Sequence, residues 1–380
     1  MKRKPNILLF FDWFYPDLSA GGPVRSFINL IEQTKNDINW HVVCSNTNYS
    51  TKIFNPNLPI NTWEKLPFGG KAMYLPLKAG SKELKKILKA KKWHCVYINS
   101  MYSSFFGFQA LVMAKKLSLR VVLCPRGMLA EGSVKQKAWL KLPYLWLSKW
   151  LGWYNNIVWH ATNQQEKKQI IKRYGSQVEI TVVPNLVRKI KPGNRLRSKK
   201  KGSLRILSVA RVAPEKNLDY IIQRLKDLSL PDISLTIIGS VHNPKYAQKL
   251  QAMAQHSHIS LTLVGHLEPE AIQEQILSHD LFVLPTLGEN FGHAIIASLG
   301  AGLPVLISDK TPWEGLFEVQ AGKAIPLSNV MEFYTMLNQF YQMDETIWQN
   351  WHKGAINYAK SYVKQQTIIK SYLELFRATT

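Results

Sequence analysis

Cysteine is scarce in this chain of 380 residues: Cys44, Cys95 and Cys124 are all there is, each set in an apolar run. An odd number without close pairing excludes a disulfide framework and fits buried free thiols in a reducing compartment. Long hydrophobic runs are missing as well. The longest uncharged stretch, Val96–Ala114, carries Asn99, Ser100, Ser103, Ser104 and Gln109, so it reads as strand, polar turn and buried helix. Near the N-terminus, Asp12 cuts off the apolar run Ile7–Phe11 and no Ala-x-Ala site follows. That pattern is a first strand, not a signal peptide, and the chain is expected in the cytoplasm, at most peripheral on a membrane.

Acidic residues are rare in the first half. Residues 1–200 hold 34 Lys+Arg against 9 Asp+Glu, whereas residues 201–380 hold 15 against 16, so the net charge of +24 arises entirely in the first half. The two halves therefore meet different partners, and the first faces something anionic. Nucleic acid is not expected, because no recognition motif accompanies the charge. With 46% hydrophobic residues, the length suits two domains, each with a core of its own.

Short β-branched runs recur through both halves: Ile7–Phe11, His41–Cys44, Cys95–Ile98, Arg120–Leu123, Ile157–His160 and Ile180–Val183, then Leu204–Val209, Ser234–Ile238, Leu261–Val264, Leu281–Leu284 and Val305–Ile307. Segments long enough for helices separate most of them, which is the pattern of two doubly wound parallel sheets. The expected domains are 1–186 and 204–360, joined by a basic linker at 187–203 and followed by a terminal helix in 361–380. In such sheets ligands sit beyond the carboxyl ends of the strands.

Several segments after strands carry chemistry. Gly21-Gly22 precedes a predicted helix Arg25–Gln33; a glycine pair there lets backbone N–H groups approach an anion, or is simply a flexible turn. Pro125 and Gly127 force a tight strand exit that presents Arg126 to a phosphate or carboxylate, unless it pairs structurally. In Ser133–Asn156, Trp139, Leu142, Trp146, Trp150 and Trp153 share one helical face opposite Lys137 and Lys141, with Pro143 expected to interrupt the helix. This stripe, with the lysine-rich Lys82–Lys92, makes residues 82–153 a candidate contact for an anionic membrane; the same stripe also fits ordinary core. After Val209 come Arg211 and Lys216, able to converge on a diphosphate. After Leu284, Glu289 stands between two glycines, ahead of Asn290, Phe291, Gly292 and His293 at a helix start. A carboxylate there accepts from vicinal hydroxyls while the N–H groups hold a phosphate.

This last segment resembles the donor-site signature of retaining glycosyltransferases of the GT-B fold, the large family 4 that includes bacterial surface-polysaccharide enzymes. Gly21-Gly22, Pro184-Asn185, Arg211 with Lys216, Gly239-Ser240, Gly265 and Ser308–Trp313 follow in the family's order over nearly the whole chain. The resemblance implies an α/β fold of two facing Rossmann-like domains with a C-terminal crossover helix, the first domain binding acceptor and the second a nucleotide-diphosphate sugar. It implies that Arg211 and Lys216 neutralise the leaving diphosphate, that Glu289 holds hydroxyls of the donor sugar, and that no metal or other cofactor is needed. Gly21, Gly22, Gly239, Ser240, Gly265, Asn290, Phe291, Gly292 and His293 fall on the donor side, and Arg25 and Arg126 on the acceptor side. The implied activity is hexosyl transfer to a glycan, carried on a polyprenyl diphosphate lipid, in surface-polysaccharide synthesis. One position departs: the family's second Glu, which binds the donor ribose, is Ala297, so the ribose loses its charged acceptor unless the following Ser298 or a water substitutes. The departure keeps a scaffold protein without transfer activity in view, beside a sugar-nucleotide epimerase of the same fold.

Overall fold

The computed structural model describes residues 4–18, 20–49, 51–76, 80–188, 197–241, 243–255, 257–362 and 365–376. Of the expected linker 187–203, residues 189–196 lie outside the described ones. The chain divides into two compact units, residues 1–186 with 365–380, and residues 187–364.

The first unit runs β1 (Asn6–Phe10), α1 (Gly22–Thr34), β2 (Asn39–Ser45), β3 (Trp63–Lys65), β4 (Lys71–Leu75), α2 (Ser81–Lys89), β5 (Cys95–Ile98), α3 (Ala110–Lys116), β6 (Val121–Leu123), α4 (Glu131–Lys135), α5 (Ala138–Trp150), β7 (Val158–Ala161), α6 (Gln164–Tyr174) and β8 (Glu179–Val182). Its sheet has the order β3-β4-β2-β1-β5-β6-β7-β8, parallel except for the edge pair β3–β4. Strands β3 and β4 escape a reading by apolar runs because β3 is short and exposed and β4 opens on Lys71. Helices cover both faces: Val24, Phe27, Leu30 and Ile31 of α1 pack on one core, and Leu84, Leu111, Val134, Leu145 and Ile170 on the other. The α1 face also receives Tyr372, Leu375 and Phe376 of the terminal helix α13 (Gln365–Phe376), with Phe376 edge-on to Trp40 at 5.4 Å. All three cysteines are buried free thiols.

After β5 a polar turn leads into a buried helix, as expected, whose first stretch, Ser104–Gln109, is π-helical before α3. One expectation about helices needs correction. Pro143 does not interrupt α5 but sits inside it. Its missing N–H affects only the carbonyl four residues back, and Trp139, which carries that carbonyl, is in the first turn and exposed.

The second unit runs β9 (Leu204–Val209), α7 (Leu218–Leu228), β10 (Ile233–Ile238), α8 (Pro244–Gln255), β11 (Ile259–Gly265), α9 (Pro269–Ser278), β12 (Leu281–Leu284), α10 (His293–Gly300), β13 (Val305–Ser308), β14 (Gly322–Ile325), α11 (Val330–Gln342) and α12 (Glu345–Tyr362). Its parallel sheet has the order β11-β10-β9-β12-β13-β14. Chain order reverses between the neighbours β9 and β12, so the loops leaving these two strands open a crevice at their carboxyl ends. Strand β14 was hidden in the sequence by its small and charged residues, Gly-Lys-Ala-Ile.

Buried histidines make the first unit sensitive to acid. His160 is fully buried on β7, its Nδ1 paired with the Tyr97 hydroxyl at 2.5 Å and its Nε2 with the Val183 carbonyl at 2.8 Å. Burial, aided by the Arg126 charge, pushes its pKa down to about 3. Burial and Lys91 push His41 down to about 4. Both stay neutral in the fold while the unfolded chain takes up a proton below about pH 6.5. Their contribution is complete above that pH and is lost as the pH falls from about 6.5 towards 4, by up to about 1.4 kcal/mol per pH unit for each histidine. Urea unfolding at pH 7, 5.5 and 4.5 should show this slope, and His160→Gln should flatten it; an unchanged slope sinks the assignment.

Candidate active site

The crevice of the second unit collects the residues singled out on β9 and β12. The β9 exit continues through Arg211 to a single 3-10 turn, Pro214–Lys216, and Asn217 adopts a left-handed conformation at φ 55° before α7 begins. Pro214 presets the turn, and Asn tolerates the positive φ better than most side chains. This geometry brings the Glu215 carbonyl to the β12 loop, where it accepts from Leu287 N–H at 3.0 Å and the Thr286 hydroxyl at 3.1 Å. Neither Thr286 nor the Glu215 carbonyl was marked in the sequence, since a backbone acceptor has no signature there.

Lys216 and Glu289 meet directly. The ammonium lies 2.7 Å from Glu289 Oε2, and both side chains are largely buried. Burial alone would raise the Glu289 pKa, but the Lys216 charge and hydrogen bond, the Phe291 N–H and the His293 charge outweigh it and hold it below its ordinary value. Glu289 is therefore a carboxylate at neutral pH. Its backbone N–H is anchored to the Lys310 carbonyl at 2.9 Å. Arg211 pairs with Glu215 at 3.3 Å and remains half-exposed at the same edge. Two cations, each paired with a carboxylate, thus share the mouth of the crevice.

Gly292 caps helix α10, and its φ of 80° is left-handed. That φ strains any residue with a side chain, and a Cβ there would also lie 2.7 Å from the tip of the Ile295 side chain, so the turn favours glycine. Phe291 is buried, ring to ring with Trp313 at 5.5 Å, and its carbonyl accepts from the Trp313 indole at 2.5 Å. Its N–H points at Glu289 Oε1 at 3.4 Å. Asn290 and His293 are half-buried at the mouth, the His293 ring 4.7 Å from Phe291. The Ser308 hydroxyl donates to the Thr286 carbonyl at 2.7 Å, fastening the loop to β13.

At the β10 exit, Gly239 donates to the Gly265 carbonyl at 2.7 Å, and a Cβ on it would fall 2.0 Å from the Ala210 carbonyl oxygen. The Ser240 carbonyl accepts from Val212 at 3.0 Å, so Gly239 and Ser240 brace the Arg211 loop. Gly265 has φ 83° with open space beside it.

Ser298 needs correction. On α10, His293, Ala294 and Ala297 form the half-buried side, whereas Ser298 is fully buried and its hydroxyl has no hydrogen-bond partner. Successive helical residues are turned by about 100°, so Ser298 points into the core while Ala297 takes the outward position. Ser298 cannot replace the missing carboxylate.

In the first unit, Gly21 caps α1 at φ 83°, Gly22 opens the helix, and Arg25 is half-buried in its first turn. Arg126 departs from expectation. Its guanidinium donates to Asn99 Oδ1 at 3.1 Å, to Asn185 Oδ1, and to the Tyr97 hydroxyl at 3.4 Å, and it lies over the Phe27 ring at 4.6 Å. The strand exit does not present Arg126 outward; it turns the side chain back to tie the ends of β5 and β8. The buried Glu166 completes this corner, accepting from Gly127 N–H at 2.6 Å and from Thr162 N–H at 2.7 Å. Among the described residues, no three of His, Cys, Asp and Glu gather into a metal-binding group.

Comparison with known proteins bears on the family and the fold. The profile of glycosyl transferases group 1 matches residues 194–345. An Escherichia coli UDP-Gal:alpha-D-GlcNAc-diphosphoundecaprenol alpha-1,3-galactosyltransferase is 25% identical over 242 residues, 60% of each chain, so the match spans about three fifths of that relative's length. Sucrose-phosphate synthase of Thermosynechococcus elongatus superposes over 98% of both chains with a TM-score of 0.73 at 14% identity. Anabaena HepE in complex with UDP and glucose superposes over 97% of this chain and 98% of its own, with a TM-score of 0.71 at 14% identity. The fold is GT-B, and the profile match supports a glycosyltransferase.

Proposed function

We propose that the chain is a retaining hexosyltransferase of the family 4 type, acting without a metal ion in surface-polysaccharide synthesis. It transfers a sugar from a UDP-linked donor to a glycan carried on a polyprenyl diphosphate. The observation that carries this reading is the Lys216–Glu289 couple beside Arg211, at the point where strand order reverses in the second unit. UDP as the nucleotide, and the lipid diphosphate as carrier, are drawn from the printed names of the E. coli and Anabaena proteins.

In this reading Lys216 and Arg211 take up the charge that develops on the diphosphate as the bond from the sugar C1 to the phosphate oxygen breaks. The electron pair leaves with that oxygen. Glu289, kept ionised by Lys216, accepts from hydroxyls of the donor sugar and fixes the ring. The acceptor hydroxyl forms its bond to C1 on the face being vacated, and its proton passes to the departing phosphate oxygen, which balances the step without a protein nucleophile.

Ala297 favours a second reading, a scaffold that has lost donor binding. A thermal-shift panel with UDP, GDP, ADP and dTDP separates the two. A ligand binding only the folded state stabilises by about 2.7 kcal/mol at a hundredfold excess over Kd. UDP alone is expected to raise the midpoint, and UDP-sugar is then expected to release UDP when a lipid-linked glycan is added. Absence of any shift at millimolar nucleotide would favour the scaffold.

A further inference from the structure

Helix α5 is amphipathic in the wrong sense for a helix lying on a sheet in water. At about 100° per residue, Trp139, Leu142, Pro143, Trp146 and Trp150 fall within one arc about 100° wide. All five are exposed, Trp139 by 76%, Trp146 by 68% and Trp150 by 71%. The inward side is built from Leu145, which joins the core, and from the buried Ser148, whose hydroxyl lies 3.0 Å from the Tyr174 hydroxyl. Thus Trp139, Trp146 and Trp150 are not core, although they have the spacing of one; Trp153, expected on the same face, lies beyond the end of α5, half-buried, and packs against the core. The rings of Trp146 and Trp150 lie parallel, 6.2 Å between centroids. Single exposed apolar residues are ordinary, whereas a contiguous outward row of this kind marks an interaction surface.

The charge around the row selects its occupant. From Gly132 to Gln165 there is no acidic residue, and Lys135, Lys137 and Lys149 flank the row, all exposed. Helix α2 packs on the same core as α5, over the same face of the first sheet, and exposes Lys82, Lys85, Lys86 and Lys89. A second copy of the chain would set this positive surface against itself. An anionic bilayer meets both features: indole rings favour the headgroup boundary, and lysines pair with lipid phosphates. No helix among the described residues is long and apolar enough to cross a membrane.

We propose that α5 lies in the headgroup layer of an anionic membrane, its axis parallel to the surface, with Trp139, Trp146 and Trp150 inserted. Membrane docking of this kind needs no sugar transfer, so failure of either leaves the other standing. The test is flotation of the full chain with phosphatidylcholine vesicles, with or without about one third phosphatidylglycerol, alongside its tryptophan emission. The wild type should float with anionic vesicles, with its emission shifted to the blue, and should be released at 1 M salt, where the Debye length is about 3 Å. Trp139→Ser/Trp146→Ser/Trp150→Ser should weaken binding at least about tenfold. Lys135→Glu/Lys137→Glu/Lys149→Glu should weaken it about a hundredfold. Both variants change exposed side chains, and unchanged melting midpoints would show that they fold. Absence of wild-type flotation with anionic vesicles overturns the proposal, as does equal flotation of the tryptophan variant. A wild-type dimer that the tryptophan variant dissociates, without vesicle binding, would assign the row to a second copy instead.

Discussion

Lys216→Met should lower sugar transfer by about a hundred- to a thousandfold, the usual cost of removing one group that stabilises developing charge. It should also lower stability. Glu289 would be left largely buried without its cation; breaking a fully buried pair costs about 3–5 kcal/mol, and the residual exposure here, 12% for Lys216 and 21% for Glu289, reduces this to roughly 2 kcal/mol. With Lys216 gone, burial dominates and the Glu289 pKa moves up. The double variant Lys216→Met/Glu289→Gln removes the stranded charge and should regain most of the melting midpoint while remaining inactive. Turnover and melting midpoint, measured on all three proteins, decide the matter: if turnover recovers with stability in the double variant, the pair is structural only.

Ala297→Glu should tighten binding of the nucleotide diphosphate by about ten- to a hundredfold. Ala297 occupies the outward side of α10, one turn beyond His293, where a glutamate can reach towards the crevice and accept from ribose hydroxyls. A hydrogen bond to a charged group contributes about 1.5–3 kcal/mol, and each 1.4 kcal/mol is a factor of about ten in Kd. Calorimetric titration of UDP into the wild type and the variant reads this directly. Ser298→Ala serves as the control: its hydroxyl faces the core without a partner, so UDP affinity should not change. A drop on Ser298→Ala would overturn the placement of the ribose on the Ala297 side.

The expected GT-B fold, with its two parallel sheets, was legible because fully buried strands write themselves as continuous apolar runs, as Leu204–Val209 and Leu281–Leu284 do. Of the strands that went unseen, Trp63–Lys65 and Gly322–Ile325 are short and interrupted by charge or glycine, so their hydrophobic signal is too weak to read, whereas Lys71–Leu75 carries the apolar run Ala72–Leu75 behind its opening lysine. Arg211, Lys216 and Glu289 could be picked out because loops after strands in this architecture carry the chemistry, and the residue types suit a diphosphate and a sugar.

What the amino-acid sequence determined by itself was the α/β class, the one-sided distribution of charge, and the substitution of Ala297 in an otherwise recognisable loop. These are local or additive properties, carried by composition and spacing. Which groups face one another was decided only by tertiary structure. Strand order, not proximity along the chain, sets Lys216 against Glu289, 73 positions apart. A turn of about 100° within α10 separates the outward Ala297 from the buried Ser298. Arg126, which a tight strand exit seemed to offer to a ligand, is claimed by Asn99, Asn185 and Tyr97 from other strand ends. The tryptophans of α5 have the periodicity of a core face and stand in solvent, because periodicity shows that residues share a side of a helix and only packing decides which side is inward.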